Sequence, residues 1–570
     1  MTMKAMDLDQ TRNDLIIGID LGTTNSAVAI YSNTAVPALC PMGVSNKHTM
    51  QSCVRWDGGD NFTVGEEAYN QRYLPNVCYS IKRQMGTDNG FTFELPSGEK
   101  RTMSPVEISA EILKALRTQA DKFYPGVYRC VITVPAYFNQ RQIEDTVSAA
   151  KMAGLECVQI LKEPTSASYI YSTLGYAKDG SVLIYDLGGG TFDITHMSFL
   201  KKSSIPFKVI TSLKRQYGID LRAMEDDSSL YYCKVLGTYG DTVLGGDDID
   251  AEFARIAWEN AGKPDISESA YEELKLRCEQ FKKLSSSKAG ITEVTSTEET
   301  VGGHVFKLAE RDLANAVKVI FQKTMSIVEQ IDPEELKKIK TIVLVGGSTK
   351  SSHLLELLQK TFPDKDISRV LDPDATVALG AGAVAKDIDD GKSLAYQDVL
   401  PMAIGVLVDE EHIEHCIDKN TALPYCRNVV YYTMHDNQKA VSVDVYQGNS
   451  TKPEECTYLG RLRVDDIPPA PAGSVPVTIA LLLSAQGRLK IVTKVAGVHK
   501  PAELSIDSIF NVSQEDSQSA NYLDEFEQTM YEALSENEEA VKLLQKRRDA
   551  VLAGDSDTAA ECENAIVELL

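Results

Sequence analysis

The sequence predicts a multidomain protein: an α/β domain, then an antiparallel β domain, then a short helical tail. Three observations carry this. Strand-like and helix-like segments alternate from Leu15 to about Asp387. From Asp398 to about Asp507 the segments shorten, alternate in polarity and are separated by turn residues. From about Gln514 the chain is polar, Glu-rich and helical in pattern. The boundaries expected from these shifts are a tail over 1–13, the α/β domain over 14–390, a linker over 391–397, the β domain over 398–507 and the helical tail over 508–570.

The first elements are LIIGID and SAVAIY, short β-branched runs around a Gly-Thr turn, which read as a hairpin. In Ser104-Pro105-Val106-Glu107 the serine can cap a helix, proline suits its first position, and the glutamate can reach back. Ile108, Ile112, Leu113 and Leu116 then share one face, the mark of plain core packing. YRCVITVPAYF and SVLIYDLGGG are near-continuous apolar runs that suit the buried middle of an α/β sheet. In the β domain, RNVVYYTM, AVSVDVYQG, PVTIALLLSA and RLKIVTKV are set off by DNQ, IPPAPAG and AQG. Basic residues in the tail gather at Lys542 and at Lys546-Arg547-Arg548.

Composition narrows the function. The 570 residues are 43% hydrophobic and 25% charged, as in ordinary soluble domains. Lys and Arg total 58 against 82 Asp and Glu, a formal net charge of −24. That balance repels a nucleic-acid backbone, so no nucleic-acid partner is expected. A nucleotide site needs only local donors and a cation, and stays open. The first residues carry no apolar stretch of leader type. No run approaches the ~18 apolar residues of a membrane span. Eleven cysteines stand singly, without a C-x-x-C pair or metal spacing. They read as reduced thiols in a cytoplasmic protein.

Three glycine-rich turns hold the chemistry: GIDLGTTN (Gly18 to Asn25), YDLGGGTFD (Tyr185 to Asp193) and VGGST (Val345 to Thr349). Glycine lets backbone N–H groups approach phosphate oxygens, and hydroxyls add donors. The first two turns also carry aspartates, which would repel a polyphosphate unless a divalent cation, here Mg²⁺, lay between. One such turn alone is usually structural. Two D-L-G turns, each following a strand and each followed by threonine, together look like two halves of a duplicated fold gripping a phosphate chain. No G-x-x-x-x-G-K-[ST] is present, since Lys386 stands where Gly391-Lys392-Ser393 would need its first glycine.

With IGIDLGTTNSAVAI, ITVPAYFN, EPTSASYIY, LIYDLGGGTFDIT, LGGDDID and IVLVGGSTK in this order, the chain resembles the 70-kilodalton heat-shock chaperones. The resemblance covers roughly 14 to 510 and continues weakly into the tail. It implies a duplicated actin-like, ribonuclease-H-like ATPase domain, an antiparallel β-sandwich that binds peptide, and a truncated helical lid. It implies ATP or ADP with Mg²⁺, and K⁺ as a further candidate ion. It puts Gly22, Thr23 and Thr24 on the phosphates, with amides from Gly188, Gly189 and Gly190. Asp20, Asp186 and Asp193 would surround the hydrated metal and the attacking water. Lys82, Glu163, Asp186, Thr191 and Asp193 match the family's catalytic set, with Lys82 positioning water and γ-phosphate. Gly245, Gly246, Glu279, Lys282, Lys283, Ser286, Gly346, Gly347, Ser348, Lys350 and Asp374 match its nucleoside and phosphate contacts. Lys283 and Lys350 replace family arginines, and an ammonium stacks less well on adenine. In the β domain, Val406, Tyr431, Val441 and Val443 match a pocket for one side chain of an extended peptide, with Asp409 and Met434 at the arch above it.

The chain departs from the family in several places. Asp409 and Met434 replace an apolar arch, and a carboxylate there disfavours deeply buried apolar cargo. SLAYQDV, from Ser393 to Val399, is less apolar than the family's linker. Ile143 stands where the switch segment after Pro135 carries arginine. A segment near 200–232 is longer than the family pattern. The resemblance implies unfolded or extended polypeptides as clients, with a J-domain co-chaperone and a nucleotide-exchange factor. Two readings follow: an ATP-driven, stress-response chaperone of bacterial type, or an ATP-dependent regulator or scaffold dedicated to few clients. A small-molecule kinase or filament former on the same fold is the third, and the β domain argues against it.

Overall fold

The computed structural model describes residues 15–31, 37–42, 47–127, 129–178, 180–201, 231–287, 296–392, 394, 396–408, 411–484, 486–496, 498 and 502–505, with isolated residues 539, 542–544, 546–547, 558, 562 and 565. Asp409, nearly all of the segment near 200–232 and most of the tail lie outside them. The described residues form two compact units. One holds 15–138, 145–201 and 231–394; the other holds 139–144 and the residues from 396 onward.

Two sheets of matching design organise the first unit. In one, the order is Glu156–Lys162, Arg129–Val134, Ile16–Asp20, Asn25–Ile30 and Ala38–Leu39. In the other it is Asp366–Ser368, Thr341–Val345, Gly180–Leu187, Phe192–Lys201 and Tyr231–Asp241. Each has a central strand that forms an antiparallel hairpin on one side and a parallel ladder on the other. Each hairpin gains a third antiparallel strand, and each ladder a further parallel one. The duplication suspected from two D-L-G turns is therefore present in the strand pairing itself.

The central strands are mostly apolar up to the aspartates near their ends. Ile16, Ile17 and Ile19 are buried, as are Leu183, Ile184 and Tyr185. The helix Thr376–Asp389 packs directly on the strand Ile16–Asp20. Gly18 lies within that strand, not in the turn that follows it, which corrects its assignment to the first glycine-rich turn. A Cβ on Gly18 would come within 2.2 Å of the Gly382 nitrogen, so the two glycines let helix and strand backbones touch. The helix Pro105–Asp121 starts as expected: Ser104 Oγ accepts from the Glu107 N–H at 3.2 Å, and the Ser104 N–H donates to Glu107 Oε2 at 2.7 Å.

The second unit contains two four-stranded antiparallel sheets. One runs His412–Ile417, Ile404–Val408, Val441–Gln447, Thr457–Val464; the other runs Tyr425–Tyr432, Pro476–Leu483, Leu489–Val495, Ala502–Ser505. Alternation sends Val443 and Val445 inward and Ser442 outward. Their inner faces meet in one apolar cluster, where Val406, Val443 and Leu462 join Ile479, Leu481 and Ile491. No helix among the described residues is long and apolar enough to cross a membrane. All eleven cysteines are free thiols.

Candidate functional site

The three glycine-rich turns leave the ends of the two central strands and of Thr341–Val345, and converge on one cavity of about 320 Å³. The first turn presents Gly22, Thr23 and Thr24; the second Gly188, Gly189 and Thr191; the third Gly346, Gly347 and Ser348. Lys82, Glu163, Gly246, Glu279, Lys282, Lys283, Ser286, Lys350 and Asp374 complete the expected set on its walls. Gly190, Asp193 and Gly245 are not among its lining residues.

The floor is acidic. Asp186 and Asp193 face each other across the hairpin Gly180–Leu187 and Phe192–Lys201. Asp20 ends the other central strand and accepts from Thr133 Oγ1 at 2.9 Å. Burial, followed by repulsion from Glu163, pushes Asp20 up to about 7. The same two causes push Asp193 up to about 8, although the Tyr137 N–H donates to its Oδ1 at 3.1 Å. Asp186 is pushed well above the usual carboxylate range by burial, then by Glu163, Asp193 and Asp20. Its Oδ2 is buried without a hydrogen-bond partner. Buried Lys82 partly offsets these acids, its Nζ 2.7 Å from Glu163 Oε1. A buried carboxylate excess of this kind calls for protons or for a cation. Among the described residues no three acidic, His or Cys side chains lie close enough to enclose a bare ion. The unpartnered Asp186 Oδ2 and the excess of carboxylates fit a hard divalent cation such as Mg²⁺.

On the far wall the helix Glu268–Ser287 carries Glu279, Lys282 and Lys283. Lys282 donates to Asp250 Oδ2 at 2.6 Å and to the Gly246 carbonyl at 3.0 Å. Glu279 Oε1 accepts from Tyr69 Oη at 2.6 Å, and the carboxylate is ion-paired with Arg72 Nη2 and Lys283 Nζ, each at 2.6 Å. Lys350 pairs with Asp372 at 2.7 Å and Asp374 at 2.5 Å. Lys283 and Lys350 are thus both engaged by carboxylates.

Tyr69 and Arg72 carried no signal in the sequence, because their partner Glu279 is some 210 residues away. Ser80 and Arg83, beside Lys82, and Asp247 and Asp248, within LGGDDID, carry no separate signal in the sequence either. Asp247 lines the cavity and accepts from Ser80 Oγ at 2.5 Å and Thr24 Oγ1 at 3.4 Å.

Four of the residues matched to a peptide pocket share one apolar cluster. Val406 and Val443 are buried in the core between the sheets. Tyr431 and Val441 are half-buried against it, and Met434 is 67% exposed.

The family model described as "Hsp70 protein" matches residues 16–211 and 231–567. The chain is 31% identical over 532 residues to a "Chaperone protein HscA homolog" of Acinetobacter baumannii strain ATCC 17978, a match covering 88% of this chain and 79% of that protein. Proteins with the same description from strains AYE and ACICU match with equal identity and coverage.

Proposed function

The chain belongs to the Hsp70 family and is an ATP-dependent chaperone with ATPase activity, and from that premise we propose that it binds extended segments of unfolded proteins and cycles with ATP hydrolysis at the cavity between its three glycine-rich turns. The observation that carries this is the pairing of Lys82 with Glu163 beside Asp20, Asp186 and Asp193, drawn from both sheets of the first unit.

In this reading Thr23, Thr24 and the Gly188 and Gly189 amides hold the phosphate chain. Lys82, fixed by Glu163, directs its charge at the γ-phosphate and the attacking water. Thr191 adds a hydroxyl, and Asp186 and Asp193 orient the water. Phosphoryl transfer asks for this positioning more than for a strong base. Asp20, Asp186 and Asp193 would hold Mg²⁺ through its waters, and the ion would neutralise charge on the polyphosphate. Gly346, Gly347, Ser348, Lys283 and Ser286 would flank the nucleoside. In the second unit, main-chain pairing with an extended peptide is the expected mode of capture. A J-domain protein, a nucleotide-exchange factor and a cytoplasmic setting complete the proposal.

The test is single-turnover ATP hydrolysis with and without excess unfolded peptide. Wild type is expected to accelerate with peptide, and Lys82→Ala to lose at least about a hundredfold in rate. Hydrolysis that depends on Lys82 but ignores peptide would sink the coupled cycle and leave the dedicated-client reading.

A further inference from the structure

We propose that Arg83 is a positioning residue for hydrolysis: by bridging the Gly190 carbonyl and Asp248, it locks the second glycine turn and the Lys82 turn into one register. The inference rests on the reading of these turns as the phosphate grip.

All three glycine carbonyls of the second turn are held from outside. Gly188 O accepts from the Gly246 N–H at 2.9 Å and from Ser348 Oγ at 2.9 Å. Gly189 O accepts from the Asp247 N–H at 2.7 Å. Gly190 O accepts from Arg83 Nε at 3.0 Å. A trans peptide points its N–H opposite to its C=O. Pinning a carbonyl thus aims the next amide, and for Gly190 that amide belongs to Thr191, which lines the cavity. A guanidinium on the carbonyl also polarises that peptide and strengthens its N–H as a donor. The fit is close on both sides: a Cβ on Gly190 would lie 2.3 Å from Thr23 Cγ2 and 2.8 Å from Arg83 Nε.

The other end of the guanidinium fixes the Lys82 turn. Arg83 Nη2 lies 2.6 Å from Asp248 Oδ2, which also accepts from the Gly245 N–H at 2.7 Å. Lys82 and Arg83 are neighbours in the single turn Ile81–Gln84. Its cap, Ser80, has a left-handed φ of 54° and donates to Asp247 Oδ2 at 2.5 Å. The turn is therefore tied at both ends to the start of the helix Gly246–Asn260, with Lys82 held between the ties. Lysine at 83 would lack the planar fork whose Nε and Nη2 reach the two acceptors here.

The experiment compares Arg83→Lys, Arg83→Ala, Asp248→Asn and the Arg83→Ala/Asp248→Asn double variant in single-turnover hydrolysis at saturating ATP and Mg²⁺, with nucleotide affinity measured separately. Arg83→Lys and Arg83→Ala should each lose about tenfold or more in rate while affinity changes by less than about threefold. The double variant should be no slower than Arg83→Ala, since one bridge is removed either way. Wild-type rate in Arg83→Lys, a loss confined to affinity, or losses that multiply in the double variant would each overturn the proposal. If Arg83→Ala does not fold, Arg83→Lys decides alone. Lys82→Ala serves as the control: its retention of wild-type rate would overturn the phosphate-grip reading itself, whereas a dead Lys82→Ala beside a fully active Arg83→Lys would sink only the role of Arg83.

Discussion

Glu279 shows how one side chain can serve stability and the site together. Burial alone would raise its pKa, but Arg72, Lys283 and Lys282 outweigh burial and hold it down at about 2. A carboxyl depressed below its unfolded value adds stability above the unfolded pKa and loses it as pH falls through the folded one. With its ordinary value at 4.5, the window runs from there down to about 2. Glu279→Gln should therefore be less stable at neutral pH by roughly 3 kcal/mol. The deficit should shrink across that window in thermal melts; a deficit independent of pH would contradict the assignment. The sequence pointed to Glu279 as part of the nucleotide wall. It could not show that Tyr69 and Arg72 would claim the carboxylate, because spacing along the chain says nothing about a contact between such distant segments.

At the scale of elements, local and non-local signals separate cleanly. The helix Pro105–Asp121 was legible because its cap, its proline and its apolar stripe lie within a few turns of one another. Ser104→Ala should cost about 1 kcal/mol in thermal unfolding and leave the hydrolysis rate unchanged. Gly18 is the opposite case. Its neighbours made it look like part of a phosphate turn, yet it admits the helix Thr376–Asp389 onto the strand that ends in Asp20. Gly18→Ala must push helix and strand apart. It should cost about 1–3 kcal/mol and, by moving Asp20, weaken nucleotide binding as well. Loss of stability with unaltered nucleotide affinity would show that the strand end does not position Asp20.

For the whole molecule, the acids at the centre of the first unit set the terms of ligand binding. They repel a bare polyphosphate, so ADP should stabilise the protein strongly only together with Mg²⁺. At a nucleotide concentration of about 100 Kd the gain should be about 2.7 kcal/mol. Chelation of Mg²⁺ by EDTA should remove most of it, as read from the melting temperature. Equal stabilisation by ADP with and without Mg²⁺ would contradict the metal-bridged site. The net charge of −24 adds to the repulsion of polyanions but does not set the outcome, because the decisive carboxylates are the buried ones.

By itself the sequence determined what depends on near neighbours: the alternation of strands and helices, the capped helix, the glycine turns after apolar strands, and the β-rich segment after Asp398. Hydrogen bonding along the chain and the periodicity of burial act over a few residues, so they are written locally. Tertiary structure decided what depends on segments far apart. It brought Asp20, Asp186, Glu163 and Lys82 around one cavity with Asp193 paired across from Asp186, and it raised the pKa values of the aspartates by burial and mutual repulsion. It placed Val406 and Val443 in the core between two sheets and gave Arg83 two acceptors on other elements. Burial and electrostatic coupling are properties of the assembled neighbourhood, and no window of sequence contains that neighbourhood.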